Sequence, residues 1–315
     1  EQESLKRTFS SIASDVGLTE GAIRFIFHDY LPRLERRMKS NVAPRWIGID
    51  EITLVGKSRC VVTNIEKQTI VELLPDRKKK AVTKYLMNIK DRAQIELVAM
   101  DMWQPYREAV QTALPNAIIV VDKFHVVRMA NAALDAVRKN VREGLTPAQR
   151  RKLMHDRFIL LKRKKELATH ELLIMGAWLG QFPPLKAAYQ LKEEFYGIWE
   201  TAKNSKDAQK RYQEWETSLP ADIVWAFKDL TTAIRNWESE VFAYFDHRVT
   251  NAYTESLNNI TRLIYRLGRG YSFEAIRAKV LFNGGLHLEQ RPRYSLRARA
   301  MRETSQAMSM VNLLQ

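Results

Sequence analysis

"RWIGIDEITLVGKSRCVVTNIEKQTIVELLP", residues 45–75, decides the fold. Within it "RWIGID", "RCVVTNIE" and "TIVELLP" are short β-branched or alternating runs divided by turn-like and charged residues, which predicts three consecutive antiparallel strands. Moving outward, "KKKAVTKYLMNI" reads as a helix, "IELVAMD" as a buried strand, "WQPYREAVQTAL" as a helix opened by Pro105, and "AIIVVD" as a second buried strand. The order from residue 45 is β-β-β-α-β-α-β, an α/β mixed sheet. A helix starting near Lys123 continues the pattern, with Arg128, Arg138 and Arg142 along it.

Residues 130–245 contain no convincing strand and carry five of the seven tryptophans: Trp178, Trp199, Trp215, Trp225 and Trp237. Large rings at helical spacing bury well, and no Gly-rich loop accompanies them, so this is expected to be an all-helical block with the tryptophans in its core. Beyond it, "NAYTESLNNITRLIYRLGRG", residues 251–270, is an amphipathic helix. At 3.6 residues per turn Leu257, Ile260, Ile264 and Leu267 share one face, and Glu255, Asn259, Arg262, Arg266 and Arg269 fall near the other. A further helix is read from "SFEAIRAKVLFNGG".

At the other end, "SLKRTFSSIASDVGLTEGAIRFIFHDYL", residues 4–31, has helix-turn-helix spacing, with Gly17 in the turn and Thr19 as N-cap of the second helix. Ile12, Ala13, Val16, Leu18, Ile23 and Ile26 are expected at the contact between the helices. If that second helix enters a major groove, Thr19 opens it, Glu20 and Arg24 approach base edges and Arg7 approaches phosphate. The competing expectation is a helical hairpin that serves only as spacer or dimer contact.

The formal charge is +15 and the sequence pI about 9.8. Basic residues gather in runs such as Arg77-Lys78-Lys79-Lys80 and Lys162-Arg163-Lys164-Lys165. Any one run is ordinary as a solvated face, but the excess over the whole chain points to a polyanion, and nucleic acid is the usual one. Cys60 is the only cysteine, which excludes a disulfide framework and a cysteine-based zinc site from this sequence. No window has the eighteen or so apolar residues of a membrane span and no signal peptide is recognised, so a reducing, intracellular home is expected.

Two acids close apolar strands: Asp50 after "WIGI" and Asp101 after "IELVAM". Carboxylates at the carboxyl edge of a sheet project into a cleft, and the element order makes the first and fourth strands neighbours, which would bring these two together. Glu255 on the later helix could complete the set, and three acids so close would repel one another unless cations neutralised them. Two Mg²⁺ ions held by carboxylates are apparatus for in-line phosphoryl transfer, with Mn²⁺ expected to substitute. Asn259, Arg262, Arg266 and Arg269 would then hold phosphates of the strand being cut. A fourth acid, Asp122 in "VVDKFH", competes with Asp101, and His125 one turn on could contact DNA, position a ligand or be structural.

The segments "GIDE", "MDMWQPYREAV", "LPNAIIVVDKFHVVRMAN" and "TESLNNITRLIYRLGRGYSFEAIR" resemble the ISL3-type DDE transposases of bacterial insertion sequences, over about Glu1 to Phe282. The resemblance implies an RNase H-like domain split by a helical insertion between the last strand and the helix carrying the glutamate. It implies Asp50 as first acid, Asp101 as second and Glu255 as last; Asp101 is preferred to Asp122 because the second acid of this fold follows the fourth strand. The expected organisation is a helix-turn-helix at 1–43, the catalytic domain at 44–129 and 246–290, the insertion at 130–245 and a tail at 291–315. Such an enzyme would cut double-stranded transposon ends and join the freed 3′-hydroxyl to target DNA, as a homodimer holding both ends. Members commonly begin with a cysteine-rich zinc-binding segment, which this sequence does not contain. A structure-selective nuclease of the same fold and an inert DNA-binding regulator are the rival readings.

Overall fold

The structure, a computed structural model, describes residues 1–38 and 43–283; the tail expected at 291–315 lies outside the described residues. Strands β1 (Trp46–Leu54), β2 (Lys57–Asn64) and β3 (Thr69–Leu74) form an antiparallel meander, and β4 (Leu97–Met100) and β5 (Ile118–Val121) extend it in parallel. The spatial order is β3-β2-β1-β4-β5, so the first and fourth strands are neighbours, as the element order requires. Helices α1 (Glu3–Lys6), α2 (Phe9–Val16) and α3 (Glu20–Met38) precede the sheet; α4 (Lys79–Met87) and α5 (Gln104–Ala113) make the crossovers. After β5 come α6 (Lys123–Glu143), helices α7 to α13 across residues 147–247, then α14 (Ala252–Leu267) and α15 (Phe273–Phe282).

Strand β1 is longer than expected, and the difference matters for the site. Asp50 does not end it: the chain continues through Ile52 and Leu54 to a tight turn in which Val55 and Gly56 both take positive φ, 51° and 69°. The pairing explains this. On one side β2 runs beside β1 from Ile47 to Leu54, whereas on the other β4 pairs only up to Ile49↔Met100. Asp50 therefore stands where the parallel neighbour stops but the antiparallel one carries on.

Alternation along β1 sends Ile47 and Ile49 to one face and Gly48, Asp50, Ile52 and Leu54 to the other. The first face packs against α4, α5 and α6 and runs on into the helical block as one core. The block is helical as expected. Trp178, Trp199, Trp215 and Trp237 are buried in it, with Phe195 and Trp215 rings 5.0 Å apart and Trp199 and Phe245 rings 4.9 Å apart. Trp225 is the exception: it is 49% exposed at the start of its helix, its indole N–H donating to the Asp222 carbonyl at 3.0 Å.

On the opposite face Ile52, Leu54, Val61 and Leu73 share a second core with α14, α15 and the N-terminal helices, through Phe9, Ile12, Ala13, Ile23, Phe27, Tyr30 and Leu34. Residues 1–38 are thus packed onto the sheet. Gly17 does turn the chain at φ 69° and Thr19 Oγ1 does accept from Ala22 N at 3.2 Å. But Val16, Leu18 and Ile26, expected at the contact between α2 and α3, are exposed. The face of α3 that is buried is the one turned to α2 and α15, carrying Ile23, Phe27, Tyr30 and Leu34, with the Phe27 ring 5.1 Å from that of Phe9. Among the described residues no helix is long and apolar enough to cross a membrane.

Candidate active site

The placement of α14 over β1 begins with a glycine. A Cβ at Gly48 would stand 2.4 Å from Asn251 Oδ1, 2.5 Å from Thr63 Oγ1 and 2.6 Å from Thr254 Oγ1, so any larger residue would hold the helix off the sheet. In the space left, Asn251 donates its amide to the Ile49 carbonyl at 3.0 Å, and the hydroxyls of Thr63 and Thr254 lie 2.7 Å apart. The buried stripe of α14 is therefore polar, comprising Thr254, Asn258 and Thr261 with Leu257. Of the four apolar residues expected on its inner face only Leu257 is buried; Ile260 and Ile264 are partly exposed and Leu267 is 57% exposed. Polar groups on β1 and β2 need hydrogen-bond partners when covered, and a stripe of Asn and Thr supplies them where leucines could not.

This close packing, with the parallel register of β1 and β4, gathers five acids, Asp50, Glu51, Asp101, Asp122 and Glu255, around one cleft of about 300 Å³. Asp50, Asp101, Asp122, Glu255, His125, Arg128, Asn258 and Arg262 are among its lining residues. Asp50 takes hydrogen bonds on both oxygens: Oδ1 from Glu51 N and Oδ2 from Asn258 Nδ2, each at 2.7 Å. Burial, seconded by the nearby charge of Asp101 and added to by Asp122 and Glu255, pushes its carboxyl up to about 7, with His125 pulling the other way. Asp101 follows the last residue of β4; its buried Oδ1 lies 2.7 Å from His125 Nε2 without the geometry of a hydrogen bond. That contact holds the imidazole above its usual pKa in spite of burial.

Asp122 also faces the cleft but is otherwise engaged. It is the N-cap of α6, accepting from Phe124 N at 3.3 Å, and burial raises its pKa. Glu255 lies in the first turn of α14, exposed to solvent at the cleft. Arg262, two turns further along, lines the same cleft and donates to Asn259 at 3.0 Å.

The other residues anticipated from the sequence lie elsewhere. Arg266 and Arg269 line a separate cavity of about 500 Å³ with Thr8, Glu20 and Tyr271. Arg7 is held by Asp15 and Ser11, at 2.5 and 2.6 Å. Arg24 pairs with Glu20, donates to the Gly270 carbonyl at 3.1 Å and lies 5.5 Å from the ring centres of both Phe9 and Tyr271. Asn258, Asn251 and Gly48 are the residues that sequence reading missed. Their signal was present, since Asn251, Thr254, Asn258 and Thr261 recur at helical spacing in a chain segment that must cover a strand.

Among the described residues no group of three or more His, Cys, Asp or Glu side chains stands close enough to hold a metal ion. The donor set nonetheless fits a hard divalent cation. Its carboxylates are oxygen ligands, and the charges of Asp101, Asp122 and Glu255, which add to burial in raising Asp50, are of the kind a cation relieves.

Two parallel strands that bring acids to adjacent ends beneath a glutamate-bearing helix, in an α/β domain with a helical block between sheet and helix, define a carboxylate-centred domain. The chain belongs to the ISL3-type DDE transposase family: a family model described as "Transposase" matches residues 47–280. It is 26% identical over 266 residues to the transposase for insertion sequence element IS1557 of Mycobacterium tuberculosis, covering 75% of this chain and 59% of that protein. It is 25% identical over 250 residues to the transposase for insertion sequence element IS1001 of Bordetella parapertussis, covering 75% and 61%. The chain spans about three fifths of the length of these curated relatives.

Proposed function

We propose that this chain carries the catalytic part of a DNA transposase of RNase H-like fold. In this reading it cleaves phosphodiesters at the ends of its own element and joins the freed 3′-hydroxyls to target DNA. Asp50, Asp101 and Glu255 are assigned the role of holding Mg²⁺, or Mn²⁺ in its place. A divalent cation there would supply charge neutralisation at the phosphate and an activated oxygen nucleophile. The observation that carries the assignment is the neighbouring of Asp50 and Asp101 across the parallel register of β1 and β4, at a cleft also lined by Glu255. Asp101 is preferred to Asp122 because its charge bears on Asp50 more strongly and because Asp122 is spent in part on capping α6.

The remaining roles follow from charge and position. His125 sits against Asp101 and orients it. Arg262 and Arg128 at the rim would hold phosphate oxygens on either side of the scissile bond. Arg266 and Arg269 would continue the contact along the DNA backbone away from the acids. The helical block over residues 130–245 acts as the insertion of a split catalytic domain completed at 246–290, and a homodimer brings two ends together in the bacterial cytoplasm, on the nucleoid.

A second reading, a nuclease that cuts without joining, gains from one observation. Arg7 and Arg24, the arginines counted on to mark residues 1–43 as a sequence-reading unit, are both bound within the chain. The decisive experiment is incubation with Mg²⁺ and pre-cleaved end DNA. Joined products support transposition; cleavage of a 5′-extended substrate without joining supports the nuclease.

A further inference from the structure

Asn258 sits on α14 one turn beyond Glu255 and is 2% exposed. Its Nδ2 donates to Asp50 Oδ2 at 2.7 Å and more loosely to the Glu51 carbonyl at 3.4 Å, while the other Asp50 oxygen accepts from Glu51 N at 2.7 Å. One oxygen of this carboxylate is thus held by its own strand and the other by the helix that carries Glu255. The orientation of the amide is forced, because turned about it would set its oxygen against two acceptors. In that orientation Asn258 Oδ1 is buried and has no hydrogen-bond partner, although the residue lines the cleft.

The packing of α14 on β1 does not need this arrangement. Asn251 to the Ile49 carbonyl and Thr63 with Thr254 already close that seam. Asn258 differs from them in binding a carboxylate and in keeping an acceptor unused. Buried amide oxygens in folded proteins find a donor in the great majority of cases, so an unpaired one at the wall of a polar cleft is a contact kept for something that enters.

We propose that Asn258 is a positioning residue for Asp50. It fixes the carboxylate from the side of α14, coupling the placement of Asp50 to that of Glu255, and its Oδ1 accepts from a water brought in with a hydrated divalent cation. The inference rests on the reading of Asp50 as a cation-holding residue. Mg²⁺-type ions keep several of their waters when bound by carboxylates, and groups that orient ligands from behind tune affinity without touching the ion.

The test uses the full chain and Mn²⁺ alone, with bound and free ion followed by electron paramagnetic resonance, so no DNA or turnover is needed. Asn258→Leu keeps the volume and removes both polar atoms; Asn258→Ser is a smaller replacement that carries the test should leucine prevent folding. Either should bind Mn²⁺ about 10- to 100-fold more weakly than the parent. Thr261→Val, which removes a buried hydroxyl from the same face of α14 away from the carboxylates, should bind as the parent does. Binding by both Asn258 variants as tight as the parent's, while Asp50→Asn has lost the ion, would overturn the role of Asn258 and leave the carboxylate reading standing. A parent that takes up no Mn²⁺, or an Asp50→Asn variant that binds it undiminished, would overturn the carboxylate reading and this inference with it.

Discussion

Gly48 and Thr254 are in such close approach that a methyl group on the first would lie 2.6 Å from the hydroxyl of the second. The hydroxyl cannot simply swing aside, because it is bonded to Thr63 and to Asn251 in a buried network. Gly48→Ala should therefore destabilise the chain by about 1–3 kcal/mol through overpacking. A thermal scan would register this as roughly 2–4 °C for each kcal/mol lost. Lifting α14 also carries Glu255 away from Asp50, so DNA cleavage should fall further than the loss of folded protein accounts for. A variant that melts and cleaves as the parent does would show that the helix has room to rise.

Lys279 gives a stability prediction with a definite sign. Its ammonium is buried beneath the rings of Phe9, Phe27 and Tyr271 and donates to the backbone carbonyls of Ser4 and Arg7, the latter at 2.8 Å. Burial brings its pKa down to about 8 from the ordinary lysine value of about 10.5. Between those two values the unfolded chain binds the proton and the folded chain does not, so stability rises with pH through this window. Lys279→Met removes the titration. The difference in unfolding free energy, parent minus variant, should climb from pH 8 to about 10.5 and be flat below, measured by urea denaturation. A difference that is flat throughout would mean that the two carbonyls hold the ammonium charged in the fold.

What could be read from the sequence was whatever local pattern decides. An apolar strand interrupted by an acid gave Asp50 and Asp101, and the element order made their strands neighbours. The end of β1 differs from the sequence expectation because a half-buried carboxylate interrupts an apolar run just as a turn does; only the unequal pairing of β1 with β2 and β4 tells the two apart. Asn258 was passed over for a related reason. Its helix buries a polar stripe, and the rule that apolar residues face inward assigns the inner face to Leu257, Ile260, Ile264 and Leu267. The inner face of α3 is likewise chosen in part by α15, an element far along the chain that no pattern within residues 4–31 records.

The N-terminal helices should behave as a fixed part of the domain. Arg24 ties α3 to the segment after α14 through Gly270 and the two rings, so Arg24→Ala should speed limited proteolysis within residues 1–38. Its effect on DNA binding should be the same for element ends as for random duplex. A loss confined to element ends would restore Arg24 to a part in base readout.

Arg262 should act differently, since it lines the acid cleft and its guanidinium, which among the described residues donates to Asn259 at 3.0 Å, has donors to spare. Arg262→Ala should weaken binding to every duplex alike and lower the slope of log affinity against log salt by about one, the signature of a single lost phosphate contact. An unchanged slope would remove Arg262 from the phosphate track.

Glu255→Gln separates chemistry from binding. The change keeps the size and reach of the side chain and removes its charge, and the exposed position in the first turn of α14 means that the fold does not depend on it. If Glu255 holds the cation, the variant should bind end DNA at least as well as the parent, because a negative charge near phosphate has gone. Yet it should cleave and join that DNA far more slowly. A loss of about 3–5 kcal/mol in transition-state stabilisation would slow the reaction roughly a hundred- to several-thousand-fold. Cleavage of labelled end DNA in Mg²⁺, set beside a binding titration in Ca²⁺, measures both. Near-parental cutting by Glu255→Gln would leave Asp50 and Asp101 without a third partner on α14, and that role would pass to one of the two other acids lining the cleft, Asp122 or the Arg77-paired Glu51.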